Sequence, residues 1–167
     1  MAITRLNNNS ITSITALPSG VVASTPAFEA TSTDTAISDN VWTVVPFSSE
    51  VLDTDNCYDT SNYRFTPNVA GWYYFHSEAN LNANSNSQLI DCGININKNG
   101  SEVYMSATNF SDNYLRRFPM TVSGIIYANG TTDYFTSSVY VNTNGSSPEI
   151  STTSGRATRW LANRIII

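Results

Sequence analysis

The single histidine of the chain, His76, is followed directly by Ser77 and Glu78. A histidine close to a hydroxyl and a carboxylate is the combination that nucleophilic and general-base catalysis uses. That chemistry also needs the nucleophile on a sharp, strained turn, and no G-x-S-x-G elbow occurs in the sequence. We therefore read His76 as an interface or edge residue, assign no catalytic residue, and expect no enzyme. Cys57 and Cys92 stand far apart, with no C-x-x-C and no neighbouring histidine, so they carry no zinc signature. A disulfide between them and a pair of free buried thiols are both open readings.

The stretch LDTDNCYD places Asp53, Asp55 and Asp59 close together, as an oxygen-ligand site for a hard cation would. Counted as a calcium loop from Asp53, its sixth position is Tyr58 where glycine is needed for the turn, and its twelfth is Arg64 rather than glutamate. These side chains are expected to cap turns, with calcium the one ion they leave as a candidate. No other cofactor is expected. Arg116, Arg117, Arg156, Arg159 and Arg164 would make either a basic ring on an oligomer or rim salt bridges. Tyr104, Phe110, Tyr114 and Phe118 read as core and loop anchors, with a shallow sugar platform as the alternative. Thirteen acidic against eight basic residues, a net charge of −5, excludes a nucleic-acid partner, since a phosphate backbone requires clustered Lys and Arg.

The elements that must position these residues are strands. Polarity comes from Asn, Ser and Thr rather than from charge, and no stretch of ten residues shows a clean helical period. Strands are expected near 27–32, 41–47, 62–66, 71–81, 89–98, 101–108, 115–128, 132–142 and 158–167. Asn99-Gly100, Asn129-Gly130 and Asn144-Gly145 each read as a tight I′ hairpin turn. In 71–81 the alternation puts Tyr73, Phe75 and Ser77 on one face and Trp72, Tyr74 and His76 on the other. With aromatics on both, the strand is expected to be covered on both sides.

Residues 1–26 differ from the rest. They contain no aromatic residue, and Ile3, Leu6, Ile11, Ile14 and Leu17 are spaced among poor helix formers. They read as an extended arm that docks through these apolar positions, ahead of a head domain at 27–167. No apolar run follows Arg5 as a signal peptide requires, and no segment is long enough to span a membrane, so membrane insertion is not expected. The apolar ending Ile165-Ile166-Ile167 implies a last strand held inside a sheet or against a partner.

PAFEA at 26–30, Val45-Pro46-Phe47, and YDTSNYRFTPNVAGWYYF at 58–75 carry a recognisable order of landmarks. This pattern resembles the globular heads of the complement C1q and tumour necrosis factor superfamily. Tyr58, Asp59, Phe65, Thr66, Pro67, Gly71, Tyr73 and Phe75 match it, and NKNG at 97–100 and RWLANRIII at 159–167 are similar to later landmarks. NGTTD at 129–133 and Trp160-Leu161-Ala162 depart from it. The resemblance implies an all-β antiparallel jelly-roll sandwich of about ten strands, assembled as a homotrimer. It also implies that the G-x-Y-x-F strand and the last strand lie side by side in the sheet facing the threefold axis. Core and trimer residues are then Phe28, Phe65, Gly71, Trp72, Tyr73, Tyr74, Phe75, Trp160, Ile165 and Ile167.

The first 20 residues are similar to leaders of tailed-phage virion structural proteins. Together these readings give an expectation of a non-enzymatic structural protein on the virion surface, made in the host bacterial cytoplasm. It would be a trimeric capsid decoration or short head fibre, held by its arm to other virion proteins. Its outward loops would be free to contact other surfaces. The alternatives are a receptor-binding tail-fibre tip or adaptor, in which outer loops such as 82–88 and 109–114 would recognise a host glycan or protein, and a free lectin-like protein.

Overall fold

The computed structural model describes residues 24–152 and 158–165. Among them there is no helix, and thirteen strands carry the fold. In chain order they are β1 (Ala27–Thr31), β2 (Thr35–Ala36), β3 (Thr43–Val44), β4 (Ser49–Asp53), β5 (Tyr58–Asp59), β6 (Arg64–Phe65) and β7 (Gly71–Asn82). They continue with β8 (Leu89–Lys98), β9 (Ser101–Asn109), β10 (Arg117–Ala128), β11 (Phe135–Thr143), β12 (Glu149–Ile150) and β13 (Arg159–Arg164).

The strands form a jelly-roll sandwich. One sheet has the order β2-β12-β7-β13-β1-β4, with β10 on the free side of β7; the other has the order β5-β6-β11-β8-β9, with β3 beside β11. Every pairing is antiparallel, including β7 with β13 from Tyr73↔Arg164 to Glu78↔Arg159. The long β7 and β10 run in register from Gly71↔Ala128 to Asn82↔Arg117.

Period-two alternation decides which side chains meet between the sheets. Tyr73, Phe75 and Ser77 of β7 are fully buried, as are Ile94 and Ile96 of β8 and Val139 and Val141 of β11. The centre is a chain of rings: Phe28 stacks on Tyr58 at 4.6 Å and on Phe65 at 4.5 Å, and Phe75 meets Phe135 at 4.5 Å and Trp160 at 5.5 Å. Burying such large rings stabilises the sandwich by several kcal/mol per ring pair, roughly 1.5–3 per side chain from area alone. A chain rich in Asn, Ser and Thr thus concentrates its apolar surface in a few large residues contributed by both sheets. Cys57 and Cys92 are both buried and both free.

Several local expectations differ from what is found. Only Asn99-Gly100 is an I′ turn, with φ of 53° and 80°, and it joins β8 to β9. Asn129-Gly130 and Asn144-Gly145 are not hairpins. Each connects strands of opposite sheets, β10 to β11 and β11 to β12, and Asn129 folds its side chain back onto its own loop. Its Oδ1 accepts the N–H groups of Thr131, Thr132 and Asp133, which fixes a crossover rather than a tight turn. The strand expected at 41–47 shrinks to Thr43–Val44, and the one at 62–66 to Arg64–Phe65. β2, β4, β5 and β12 were not anticipated; all are short edge or bridging pieces with little alternation.

Candidate functional site

The described residues leave the outward face of the seven-stranded sheet open along β7 and β10. Trp72 and Tyr74 of β7 are 44% and 37% exposed, and Ile125 and Tyr127 of β10 are 50% and 45% exposed. Register places them as a square, with Tyr74 opposite Ile125 and Trp72 opposite Tyr127. The Trp72 and Tyr127 rings meet edge to face at 5.5 Å, so the patch is ordered before any partner arrives. The expected cover of β7 on both sides was by a second layer or another subunit; the described residues of one chain supply none for its second, apolar face.

Toward the other end of the same face, the patch gives way to charge. Arg159 Nε donates to Glu78 Oε1 at 2.6 Å and its NH1 lies 3.9 Å from Glu29 Oε1, while His76 Nε2 is 3.8 Å from Glu78 Oε2. His76 belongs to this ladder on an open sheet, flanked across the pairings by Ser123 and Leu161. No turn presents a nucleophile there, and the geometry offers pairing rather than catalysis.

Other sequence candidates are dispersed. Asp53 accepts the N–H groups of Asp55, Cys57 and Tyr58, and Asp59 accepts those of Ser61 and Asn62, so both cap turns. The hydrogen bonds from Asn62 and the Ser61 N–H hold the exposed Asp59 carboxyl below the usual range. Asp55 takes the Thr54 hydroxyl at 2.6 Å. Among the described residues no three His, Cys, Asp or Glu side chains converge as metal ligands would. Within one chain the described arginines stand at separate places. Arg159 is engaged by Glu78 and Glu29, Arg116 and Arg117 lie at the far end of β10, and Arg164 lies beside Gly71, its Nε 2.8 Å from where a Cβ would stand. Phe110 and Phe118 meet edge to face at 5.1 Å against the core, and Tyr104 lies over Gly124, so these rings anchor loops and a sheet edge. The Ile165 N–H donates to the Trp72 carbonyl at 2.8 Å, extending the β13–β7 pairing. Ile167, Arg156 and the arm positions Ile3, Leu6, Ile11, Ile14 and Leu17 lie outside the described residues.

The two ends of the sandwich differ. The chain enters β1 at the end that carries Gly71, the Asn99-Gly100 turn and the 129–134 crossover. The loops 83–88 and 110–116 lie at the opposite end and are tied together: Ala83 N–H donates to the Arg116 carbonyl, and the Gln88 and Leu89 N–H groups to that of Leu115.

Two surface clefts escaped sequence reasoning. One, of about 450 Å³, is lined by polar residues including Glu50, Asp59, Arg64 and Thr66. The other, of about 460 Å³, lies on the outward face of the six-stranded sheet between Trp42, Tyr140, Gly93, Ala107, Asp91 and Asn109. Its parts come from four separate segments, and only the alternation of β8, β9 and β11 hinted that they share a face.

Residues 27–126 match the sequence pattern of the C1q domain. No curated protein sequence matches the chain. Among solved structures, that of murine APRIL at pH 5.0 is similar in fold, with a TM-score of 0.59 at 11% identity, covering 83% of this chain and 98% of that one. The structural likeness covers a larger share of the chain than the sequence match does. With the pattern matched over more than half its length and laid on this sandwich, the chain belongs to the C1q domain family.

Proposed function

We propose that the protein is a non-enzymatic homotrimeric binding module that attaches to a phage particle through residues 1–26. The observation that carries the trimer is the ordered, solvent-facing quartet Trp72, Tyr74, Ile125 and Tyr127. A patch of large apolar side chains on a flat sheet is an interface waiting for its partner. Three copies related by a threefold axis would bury it three times over.

The polarity of the domain supports anchoring at one end and contact at the other. The chain arrives at the Gly71 end, and the hydrogen-bonded loops 83–88 and 110–116 stand at the opposite one. In a trimer these loops would form a threefold cluster, and three arms would raise the effective concentration at their docking sites. Capsid decoration or a short head fibre is the first reading of that attachment; a tail-fibre tip is the second.

Light scattering on the purified full chain tests the assembly. A trimer is expected, and Ile125→Glu should dissociate it while leaving far-ultraviolet circular dichroism unchanged; a monodisperse wild-type monomer would overturn the reading. Particle attachment is tested by co-sedimentation with virions. Deleting residues 1–25 should abolish it with trimers intact, and attachment that survives the deletion rejects the arm as anchor.

A further inference from the structure

We propose that the cleft between Trp42 and Asp91 is a binding site for a neutral sugar ring. It lies on the opposite sheet from the aromatic quartet and does not depend on the trimer.

The aromatic wall is fixed in place. Trp42 stands just before β3, whose pairing with β11 at Thr43↔Val139 and Val44↔Ser138 draws the indole over the sheet. There its six-membered edge occupies the position of a missing side chain: Cη2 lies 3.0 Å from where a Cβ of Gly93 would be. Tyr140, opposite Gly93 on β11, supports it at 5.6 Å between ring centroids. The Tyr140 hydroxyl is in turn tied to Asn40 Oδ1. Although held by Gly93 and Tyr140, Trp42 remains 40% exposed. An indole fixed by its neighbours and open to water is an apolar surface ready for a flat ligand at low entropic cost.

The facing wall is polar in a particular way. Asp91, Asn142 and Asn109 stand in one row across β11, β8 and β9. Asn142 Nδ2 donates to Asp91 Oδ2 at 2.8 Å and the Tyr140 hydroxyl also lies against this carboxylate, which orients it; with about four lone-pair sites the carboxylate keeps acceptor capacity for a further donor. Asn109 Oδ1 accepts the Ser111 N–H at 2.7 Å, so its amide hydrogens are the part not used in that bond. A carboxylate acceptor beside an amide donor suits a pair of neighbouring hydroxyls, each of which donates and accepts. The floor between the walls is made of the small residues Gly93 and Ala107.

This pairing selects a chemical class. Among the described residues no Lys or Arg lines the cleft, so phosphate, sulfate or acidic sugars would meet Asp91 without a compensating cation there. A purely apolar ligand would leave Asp91 and Asn109 desolvated. A hexopyranose satisfies both walls, with a face of C–H groups for Trp42 and equatorial hydroxyls for the carboxylate and amide. A volume of about 460 Å³ falls within the range of small-molecule sites and accommodates one or two such rings. An organic cation is the rival that an indole and a carboxylate would also attract.

Saturation-transfer NMR on the full chain tests this with methyl glucoside, methyl galactoside, methyl mannoside, N-acetylglucosamine and choline as probes, alongside a glycan array. Transfer to the ring C–H protons of at least one neutral sugar is expected. Trp42→Ala should abolish it, and Asp91→Asn should weaken it by about tenfold, with the thermal midpoint and molar mass little changed. Should Trp42→Ala fail to fold, Asp91→Asn alone decides, because its side chain keeps the same shape. Silence from every neutral sugar in both assays, sugar binding indifferent to the substitutions, or binding of choline alone would overturn the proposal.

Discussion

Ser77 and Ser137 meet across the middle of the sandwich, their hydroxyl oxygens 2.8 Å apart and both side chains fully buried. Ser137 donates to the Asn95 carbonyl at 2.9 Å, so the Ser77 hydroxyl donates to Ser137 and the two sheets are joined by a satisfied relay. Ser77 belongs to β7 and Ser137 to β11, and otherwise the core around them is aromatic and aliphatic.

Removing one member leaves the other without its partner in a dry interior. Ser137→Ala should therefore destabilise by about 1–3 kcal/mol, more than a surface Ser→Ala, because Ser77 and the Asn95 carbonyl both lose it. The double variant Ser77→Ala/Ser137→Ala should cost less than the sum of the singles. Urea unfolding of the three variants measures this, and strict additivity would show that the relay contributes no coupling.

Tyr73 is the aromatic on which the inner side of β7 depends most. Its ring is buried among Phe65 and Phe75, and its hydroxyl donates to the Val69 carbonyl at 2.7 Å. Tyr73→Ala should cost about 3–5 kcal/mol, a large share of a total stability of about 5–15 kcal/mol. Tyr73→Phe should cost about 1 kcal/mol, since only the hydrogen bond is lost. Denaturant midpoints of the two variants separate the ring from its hydroxyl; similar losses for both would contradict the packing argument.

Much of this was legible because it repeats with period two. The alternation of 71–81 placed Tyr73, Phe75 and Ser77 inward with no knowledge of the partner strands, and Asn99-Gly100 gave its turn from two residues. The same dipeptide misled at 129 and 144, where the following strand pairs in the other sheet and the asparagine serves its own loop instead. β4 was invisible for a related reason. It is an exposed edge strand with a register shift against β1 between Glu29 and Ala30, so it lacks the alternation that burial imposes. The Trp42 cleft joins segments separated by dozens of residues, and nothing local to Trp42 signals that its ring will lie over Gly93.

Alkaline pH should unfold the protein through its buried acids. Burial pushes the Cys92 thiol up from 9.0 to about 12 and the Tyr73 phenol up from 10.0 to about 12, with Tyr58 raised further in the same way. These groups are harder to ionise folded than unfolded. Their contribution is thus complete below pH 9 and is lost as pH rises from about 9 toward 12. Unfolding free energy measured from pH 8 to 11 should fall steadily, and Cys92→Ala should flatten the lower part of that fall. In the native protein at pH 8, Cys92 should also resist aromatic disulfide reagents that label it after denaturation.

On the acid side, the group to watch is Asp133. Burial raises its carboxyl, but Lys98, Asn99 and the Asn129 N–H together outweigh that and hold it below its ordinary value. Lys98 Nζ lies 2.8 Å from Oδ2 and Asn99 Nδ2 2.8 Å from Oδ1, so Asp133 clasps the β8–β9 turn to the 129–134 crossover. A carboxyl depressed in the folded state contributes stability above its unfolded pKa and loses it as pH falls below about 4. Asp133→Asn should cost about 2 kcal/mol at pH 7 and less at pH 2, as the wild-type carboxyl takes up its proton. An equal loss at both values would mean that the charge contributes nothing.

Gly124 shows how tightly the edge beside the proposed trimer face is packed. It lies on the inward side of β10, opposite Phe75, and the Tyr104 ring of β9 occupies the space where its side chain would be, with Cε2 2.3 Å from the position of a Cβ. Tyr104 thereby closes the mouth between the two sheets at β9 and β10, and its hydroxyl donates to the Ile125 carbonyl at 3.3 Å. Even Gly124→Ala must expel the ring into solvent, at a cost of about 1–3 kcal/mol for overpacking and lost burial. Once Tyr104 has been truncated, the same methyl group meets an empty space. Gly124→Ala should then be nearly neutral or stabilising in a Tyr104→Ala background, a coupling that urea titration of the four proteins would reveal. The swing of Tyr104 would also disturb Ile125, so Gly124→Ala should weaken self-association as well as stability. Separate concentration-dependent light scattering distinguishes that effect, since a purely core role predicts lost stability with the oligomer unchanged.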